Sequence, residues 1–233
     1  MRDLNQDSTP LDNYLHHLFP NEPTELFTQA RVAAQSVGKA AISLSPSEAR
    51  LLSVVIKSHG CRKFVEIGTL TGASALWILQ GLAEDGELWT LEKDPQHAAL
   101  AEKIFAQWTV SQDSKTALLK SSSKKIHLVT GDAKLTLKSI EKFGPFDGVL
   151  IDGNKSAYGI YLDWVEANLI KGALILADNV FLGGAVLTGN KAQFSKKQIT
   201  VMKEFNDRLA DPKRYQSAIL PTGEGLFMAL KLF

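Results

Sequence analysis

The feature that most constrains the fold of this chain is an alternation, from residue 62 onward, of short apolar runs with stretches of helical periodicity. The apolar runs predict seven strands, at Lys63–Ile67, Glu87–Leu91, Ile126–Thr130, Phe146–Ile151, Ala173–Ala177, Gln216–Leu220 and Leu226–Leu230. Helices are predicted between the first five strands, at Ala73–Ala83, Pro95–Trp108, Leu135–Phe143 and Tyr158–Ile170. Such alternation builds parallel βαβ units with helices on both faces of the sheet.

The last two predicted strands are separated only by Pro221–Gly225, which is too short for a parallel crossover. We therefore expect them to form an antiparallel hairpin. The predicted fold class is α/β, with a doubly wound, mostly parallel, seven-stranded Rossmann-like sheet that ends in this hairpin. Because 233 residues with 45% hydrophobic content can fill one sizeable core, residues 1–233 are expected to form a single domain.

Residues 1–60 carry no strand signal and are predicted to be a helical N-terminal extension of this domain. Helices are expected at Thr24–Val37 and Ser47–Ser58. Ser45 at the N-cap and Glu48 at the third helical position give the second helix a typical capping box. These helices would pack on the sheet, cover the functional site or pair with a second subunit.

The composition argues against nucleic-acid and membrane partners. The 26 Lys and Arg residues nearly balance the 25 Asp and Glu residues, so the chain has no global basic field. No secretory signal and no long apolar run are present, and the single Cys61 excludes an internal disulfide. We therefore expect a cytoplasmic protein. The Lys- and Ser-rich stretch Ser111–Lys125 is predicted to be a solvated loop.

The turn after the first predicted strand is a candidate ligand-binding turn, because open α/β sheets bind ligands beyond the carboxyl ends of their strands. Gly68 and Gly72 bracket this turn, where the backbone can approach a ligand closely. Glu66 adds a carboxylate, which favours a cationic group such as an amino-acid ammonium over a pyrophosphate. The dinucleotide fingerprint G-x-G-x-x-G is missing, which argues against a nicotinamide-dependent oxidoreductase on a similar sheet.

The next two strand ends add features of a nucleoside site. Glu92 closes the second strand, where an acidic residue typically accepts hydrogen bonds from ribose hydroxyls. Asp132 follows the third strand, where it can cap the next helix and also bind an adenine amino group. A nucleoside with a charged amino-acid tail is S-adenosylmethionine, which suits these features better than NAD.

The fourth and fifth strands end in oxygen-bearing side chains, Asp152 and then Asp178 with Asn179. If the two strands are neighbours, these side chains converge at one edge of the sheet. Carboxylate and amide oxygens are hard ligands that select Mg²⁺, Mn²⁺ or Ca²⁺ over zinc or copper. The alternative is that the two aspartates only cap helices.

Six segments in this order match a known family: FVEIGTLTGASAL, EKD, GDA, FDGVLIDGNKSAY, ILADNVFLGG and LPTGEGLFMALK. From about Ser45 to the C-terminus, the chain resembles the cation-dependent O-methyltransferases, which include plant caffeoyl-CoA O-methyltransferases and, more distantly, catechol O-methyltransferase. The resemblance implies a metal site of Asp152, Asp178 and Asn179, with Lys155 near the reacting hydroxyl. It also implies S-adenosylmethionine contacts from Glu66, Gly68, Ser74, Glu92, Ala133, Asp152 and the backbone of Leu44. Thr69, Gly72 and Asp132 complete the predicted cofactor site.

The predicted activity is methyl transfer from S-adenosylmethionine to a small vicinal diol, such as a catechol or a caffeoyl-type phenol. Lys155 and Asp152 are the predicted catalytic residues, with Lys155 relaying a proton or orienting the oxygen. The family's usual Asp-Ala-Asp-Lys is Asp-Gly-Asn-Lys here, and Glu92 stands where Asp is commoner. A lysine cluster at residues 115, 120, 124 and 125 leaves an RNA methyltransferase as an alternative.

We expect no catalytic or ligand-binding role for two aromatic residues of the fourth predicted helix or for the histidines. Tyr158 and Trp164 are interpreted as helix-face packing. The five histidines, at positions 16, 17, 59, 97 and 127, are interpreted as surface or core residues. The segment Phe181–Lys197, where substrate selectivity of the family tends to lie, has no clear match to the plant enzymes. Because relatives use N-terminal extensions in dimers, a homodimer is expected.

Overall fold

The seven strands form one sheet in the order β3-β2-β1-β4-β5-β7-β6. The computed structural model describes residues 10–20, 22–39, 44–112, 123–189, 193–222 and 224–233. The strands are β1 Lys63–Ile67, β2 Glu87–Glu92, β3 Lys125–Thr130, β4 Phe146–Ile151, β5 Leu169–Ala177, β6 Tyr215–Leu220 and β7 Leu226–Lys231. β1 to β5 are parallel, and β7 runs antiparallel between β5 and β6. The predicted fold class, with its C-terminal hairpin, is confirmed.

The described part of the chain holds helices before, between and after the parallel strands. They are α1 Pro10–Leu18, α2 Glu25–Ser36, α3 Pro46–His59, α4 Ala73–Gly81, α5 Pro95–Gln112, α6 Ala133–Ile140, α7 Tyr158–Asn168, α8 Ala185–Thr188 and α9 Lys196–Leu209. The predicted capping box of α3 is present, with Ser45 and Glu48 bonded reciprocally. Residues 113–122 of the predicted loop lie outside the described residues.

Three helices of the structure, α1, α8 and α9, are absent from the sequence prediction. α9 has its own capping box, with Ser195 at the N-cap and Gln198 at the third position. It also buries apolar side chains at helical spacing, namely Ile199, Met202, Phe205 and Leu209. The capping box and the helical spacing of apolar residues are both local sequence patterns, so α9 was predictable.

The junction of α7 and β5 differs from the predicted bounds. The predicted helix runs to Ile170, whereas α7 ends at Asn168 and β5 begins at Leu169, four residues before the predicted start. Lys231 of β7 donates from Nζ to the carbonyls of Glu166 and Leu169, both at 2.6 Å. A buried lysine from a strand distant in sequence therefore satisfies backbone acceptors where the helix stops.

Helices cover both faces of the sheet. On one face, α6, α7 and α9 contribute Leu137, Leu162 and Phe205 to a core that includes Val65 and Ile67 of β1. The opposite core is built by α2 to α5, through buried apolar side chains that include Phe27, Leu52, Leu76 and Ile104. Two helices of the N-terminal extension, α2 and α3, thus join this core, in which α3 packs against α4 and α2 packs against α4 and α5. In the described part of the chain, no helix is both long and apolar enough to cross a membrane.

Hydrogen bonding between the parallel strands continues past their last residues. Ile67 of β1 pairs with Ile151 of β4, which in turn pairs with Ala177 of β5. The next backbone amides continue the same pattern, because Asp152 N donates to Ile67 O at 2.9 Å and Asp178 N donates to Ile151 O at 3.1 Å. The two predicted metal ligands therefore leave adjacent strands at the same level of the sheet.

Candidate active site

A cavity of about 430 Å³ lies beyond the carboxyl ends of β1, β2, β3, β4 and β5. Its wall contains residues that the sequence predicted for the cofactor, for the metal and for catalysis. These are Gly68, Glu92, Asp132, Ala133, Asp152, Lys155, Asp178 and Asn179. The parallel topology thus brings together residues as distant in sequence as Gly68 and Asn179.

Five predicted cofactor residues do not line this cavity. Leu44 and Ser74 lie at a second, much smaller cavity beside Trp77. Glu66 and Thr69 are buried behind the wall, and their side chains converge on the Thr90 hydroxyl, at 2.5 Å each. Gly72, the fifth of these residues, does not line the cavity either. Cofactor contacts from these five residues stay predictions.

The two glycines of the turn make close approaches to the protein itself. A Cβ on Gly68 would lie 2.3 Å from the carbonyl oxygen of Asp152, and one on Gly72 would lie 2.7 Å from the Phe105 ring. Both glycines also have positive φ, at 107° and 91°. Gly68 therefore lets the end of β4 pass beside the turn, whereas Gly72 lets α5 pack beneath it.

The carboxylate of Glu92 is held by backbone amides on both sides. Oε2 accepts the N–H of Leu70 at 2.7 Å, and Oε1 accepts the N–H of Asp94 at 2.8 Å. Nδ1 of His97 lies 3.6 Å from Oε1. Leu70 has φ of 51°, a left-handed conformation that is uncommon for leucine. The Glu92 carboxylate is thus fixed in orientation, and each of its oxygens keeps a lone pair that can accept a hydrogen bond from a ligand hydroxyl.

Glu66 carries a buried carboxyl group next to the glycine turn. Burial raises its pKa to about 7, and the charges of Asp152 and Glu92 act in the same direction. The hydroxyls of Ser74 and Thr90 oppose this rise in the pKa. A cation brought near this carboxyl group would therefore be strongly attracted to its ionised form.

Asp132 caps α6, as the sequence predicted. Its side chain accepts the backbone N–H of Lys134 at 3.1 Å. The ammonium groups of Lys93 and Lys134 lie 3.7 and 3.4 Å from its Oδ2. Asp132 also lines the cavity, so capping and a contact with a ligand are compatible.

Lys155 lies between the ends of β4 and β5 and is mostly buried, with 14% of its side chain exposed. Nζ donates to Asp152 Oδ1 at 2.9 Å, to the Tyr158 hydroxyl at 2.7 Å and to Asp178 O at 3.4 Å. Burial by itself would lower the pKa of Lys155, but the nearby Asp152 and Asp178 carboxylates raise it above its usual value. In this structure Lys155 is therefore a charged ammonium group.

The predicted metal ligands present unmet oxygen acceptors to the cavity. Asp178 Oδ1 and Asn179 Oδ1 are buried and have no hydrogen-bond partner in the described part of the chain. Burial and the charge of Asp152 raise the pKa of Asp178 to about 7. No cluster of three or more His, Cys, Asp or Glu side chains suited to a metal occurs among the described residues, so the set depends on the amide of Asn179. Two carboxylates and one amide, with unmet acceptors on Asp178 and Asn179, fit a hard cation.

The cavity also contains residues that the sequence analysis did not identify, namely Lys39, Ile67, Leu70, Leu91, Lys93, His97, Gly131, Gly153, Asn154, Tyr161, Phe194 and Glu224. His97, interpreted from the sequence as a surface or core residue, is half-buried and lines this cavity. Its position in the first turn of α5, directly after the Glu92 loop, was a usable signal. Phe194 gave none, and Glu224 lies in the LPTGEGLFMALK segment of the resemblance, which assigned it no role.

The aromatic residues of α7 behave largely as predicted. Trp164 packs against Phe146, with ring centroids 5.6 Å apart, and Tyr158 is completely buried next to Phe205. The Tyr158 hydroxyl, however, reaches Lys155, which the helix-packing interpretation did not include.

Comparisons with known proteins agree with this fold and cavity. A family model described as O-methyltransferase matches residues 20–232. A catechol O-methyltransferase from Niastella koreensis is 32% identical over 191 residues, which cover 81% of this chain and 80% of that protein. The O-methyltransferase from Bacillus cereus in complex with SAH has a TM-score of 0.82 at 24% identity, covering 96% of this chain and 98% of that one. TomG, an O-methyltransferase from Streptomyces achromogenes in complex with SAM, has a TM-score of 0.80 at 25% identity, covering 99% and 100%. This chain belongs to the S-adenosylmethionine-dependent O-methyltransferase family.

Proposed function

We propose that this enzyme transfers a methyl group from S-adenosylmethionine to one hydroxyl of a small vicinal diol, such as a catechol or a caffeoyl-type phenol, with a divalent cation. The observation that carries the proposal is the meeting of Asp152, Lys155, Asp178 and Asn179 in the cavity that also holds Glu92. The name of the Niastella koreensis relative, catechol O-methyltransferase, supports a diphenol acceptor.

The cofactor would occupy the β1–β3 side of the cavity. Glu92 would accept hydrogen bonds from the ribose hydroxyls, and Asp132 would accept one from the adenine amino group. Glu66 would bind the ammonium group of the amino-acid part. Glu92 and Asp132 line the cavity, and Glu66 is buried behind its wall. Gly68 and Ala133 would offer close backbone approach. When bound, S-adenosylmethionine supplies an electrophilic methyl group on a sulfonium.

The cation would be held by Asp152, Asp178 and Asn179, whose oxygens meet at the ends of β4 and β5. Mg²⁺ suits this oxygen donor set, with Mn²⁺ and Ca²⁺ as alternatives. A hard cation lowers the pKa of a coordinated hydroxyl. Two adjacent hydroxyls would chelate it better than one, which is the physical reason for proposing a vicinal diol.

Lys155 can serve the reaction in one of two ways. As an ammonium group it can donate a hydrogen bond to the acceptor oxygen and orient it towards the methyl group. To act as a general base it must first lose a proton, which Asp152 and Asp178 oppose in the absence of the cation and which a cation bound to them would favour. In either role Asp152, which accepts from Nζ at 2.9 Å, is the partner that aims Lys155.

The RNA methyltransferase alternative has less support. Of the four clustered lysines, residues 115 and 120 lie outside the described residues. Lys124 donates from Nζ to Leu79 O at 2.7 Å, near the end of α4, and Lys125 pairs with Glu87 at 2.9 Å. Both lysines therefore serve contacts within the protein. A nicotinamide oxidoreductase is not supported either, since the family match is to O-methyltransferases.

We further propose a homodimer, a single domain over residues 1–233 and a cytoplasmic location. Exposed apolar side chains on the N-terminal helices, Tyr14, Leu18 and Val32, support the homodimer. The inclusion of α2 and α3 in one core with strand residues supports a single domain. Burial and the nearby Asp147 raise the pKa of the Cys61 thiol to about 12, and such an unreactive thiol is compatible with the cytoplasm.

The deciding experiment is a panel of vicinal diphenols and their single-hydroxyl analogues, assayed with S-adenosylmethionine and either Mg²⁺ or EDTA. We expect methylation of diphenols only, and only with the metal. Methyl transfer at full rate in excess EDTA, with metal absent by elemental analysis, would overturn the proposed cation dependence. Equal rates of methylation of the single-hydroxyl analogues would overturn the proposal that the substrate is a vicinal diol.

A further inference from the structure

Tyr158 provides the hydrogen bond that most closely fixes the Lys155 ammonium group. The tyrosine is completely buried at the start of α7, and its hydroxyl lies 2.7 Å from Lys155 Nζ. This is shorter than the contacts of Nζ with Asp152, at 2.9 Å, and with the carbonyl of Asp178, at 3.4 Å. An ammonium group has three donors, and these three contacts use all of them.

The direction of the hydrogen bonds is set by the chemistry of the two groups. Because a lysine ammonium has no lone pair, the Tyr158 oxygen must accept from Nζ. The Tyr158 proton is then directed at the carbonyl oxygens of Asp178, at 2.9 Å, and Ile151, at 3.1 Å. One hydroxyl thus connects Lys155 to the ends of β4 and β5, the strands that carry Asp152 and Asp178.

Ring packing alone does not account for a hydroxyl at this position. The ring packs edge-on against Phe205, with centroids 5.0 Å apart, and a phenylalanine would make the same contact. A buried hydroxyl is costly unless it is hydrogen-bonded, and this one has three polar partners. Without it, one donor of Lys155 would be left to seek the unmet oxygens Asp178 Oδ1 and Asn179 Oδ1 on the same cavity wall.

We propose that Tyr158 is a positioning residue that holds the Lys155 ammonium group against Asp152 and away from the side-chain oxygens Asp178 Oδ1 and Asn179 Oδ1. It touches neither acceptor nor cofactor and acts only through Lys155. The consequence for turnover rests on the proposed methyl transfer, whereas the hydrogen bond itself does not. The two are therefore tested by separate measurements.

The first measurement is a lysine-selective ¹H–¹⁵N spectrum of the full chain carrying Tyr158→Phe, with Tyr215→Phe as the matched control. Tyr215 is also buried, and its hydroxyl bonds to Glu166, far from the cavity lining. The Lys155 ammonium resonance, assigned by its loss in Lys155→Arg, should be sharp in the unmodified protein and in the control. It should broaden beyond detection in Tyr158→Phe. A resonance that is equally sharp in folded Tyr158→Phe, or missing from the unmodified protein, would overturn the proposal.

The second measurement separates turnover from binding. Tyr158→Phe should lower kcat by about 10–100-fold, the scale of one lost hydrogen bond to a charged group, with KM for the acceptor and Kd for the cofactor within about two-fold. A change in KM or Kd alone would overturn the positioning role. If no acceptor is methylated by any protein while the resonance still broadens, the proposed function fails and the positioning of Lys155 stands.

A third measurement covers the case in which Tyr158→Phe does not fold. Replacement of all four tyrosines by 3-fluorotyrosine weakens the hydroxyl as an acceptor without deleting it. The Lys155 resonance should then shift, whereas an unchanged resonance in the folded fluorinated protein would contradict the assigned hydrogen bond.

Discussion

Glu92 Oε2 accepts the backbone N–H of Leu70 at 2.7 Å, so the end of β2 holds the turn that comes after β1. The same carboxylate holds the start of α5 through Asp94 N. Leu70 is in a left-handed conformation that costs energy for a leucine. Glu92 therefore has a structural function within the turn as well as its proposed role towards the ribose.

Replacement of Glu92 tests both functions together. Glu92→Ala should weaken S-adenosylmethionine binding by about 1.5–3 kcal/mol, the scale of a charge-assisted hydrogen bond, and should also lower the free energy of unfolding. Titration calorimetry and urea unfolding measure the two effects. Glu87→Ala, at the opposite end of β2, is the control that should leave binding unchanged. Unaltered affinity in folded Glu92→Ala would remove the ribose assignment.

Glu66 predicts a pH dependence of stability in the absence of cofactor. Because its pKa is raised from 4.5 to about 7, the folded protein binds more protons than the unfolded chain between these values. The unfolding free energy should therefore fall as the pH rises from about 4.5 to about 7, and level off above, by about 1–3 kcal/mol. Urea unfolding at a series of pH values measures this slope.

Glu66→Gln isolates the contribution of that carboxyl group. The variant should lose the Glu66 part of the slope and keep the part that comes from Asp178, whose pKa is also raised to about 7. It should gain stability relative to the unmodified protein above pH 7 and bind S-adenosylmethionine more weakly because the ammonium partner is gone. Identical pH profiles for the two proteins would show that Glu66 does not carry the effect.

The metal site predicts different outcomes for its two aspartates. Asp178→Ala should mimic EDTA and abolish activity while leaving S-adenosylmethionine binding largely intact, because Asp178 lies on the β5 side. Asp152→Ala should impair both, since Asp152 lies between β5 and the cofactor end at Gly68. Activity assays, calorimetry and elemental analysis distinguish these cases. Activity that survives in Asp178→Ala with no bound metal would contradict the assignment.

Two substitutions of Lys155 separate its possible roles. Lys155→Ala should spare metal and cofactor binding and lower turnover by roughly 10²–10⁴-fold if Lys155 is the general base. Lys155→Arg keeps the charge but cannot give up a proton. If Lys155 only orients the acceptor oxygen, the arginine variant should retain much more activity than the alanine variant. Equal losses of kcat in the two variants would favour the general base.

Gly72→Ala and Gly159→Ala should change stability in opposite directions. An alanine Cβ at Gly72 would meet the Phe105 ring at 2.7 Å on a backbone with positive φ, so we expect destabilisation of about 1–3 kcal/mol. Gly159 lies inside α7 with nothing within 4 Å of such a Cβ, so alanine should stabilise by up to about 1 kcal/mol. Thermal unfolding measures both, and the same sign for the two variants would contradict the packing argument.

The sequence alone determined the fold class, the strands and most of the charged residues around the cavity. Local apolar runs predict strand positions such as Phe146–Ile151. Asp152 and Asp178 are the first residues after β4 and β5. A parallel sheet aligns the ends of its strands, so local patterns were enough to predict that these residues meet. The capping box of α3 is likewise a local signal.

Only the tertiary structure decided which groups touch. Phe194 and Glu224 line the cavity from loops that are distant in sequence from Gly68 and Glu92, and no local pattern predicts that they meet there. The charge state of Lys155 and the burial of Glu66 behind the wall also depend on neighbours that are distant in sequence. Desolvation and Coulomb interactions are set by the distance and burial of groups in three dimensions, which the order of residues along the chain does not specify.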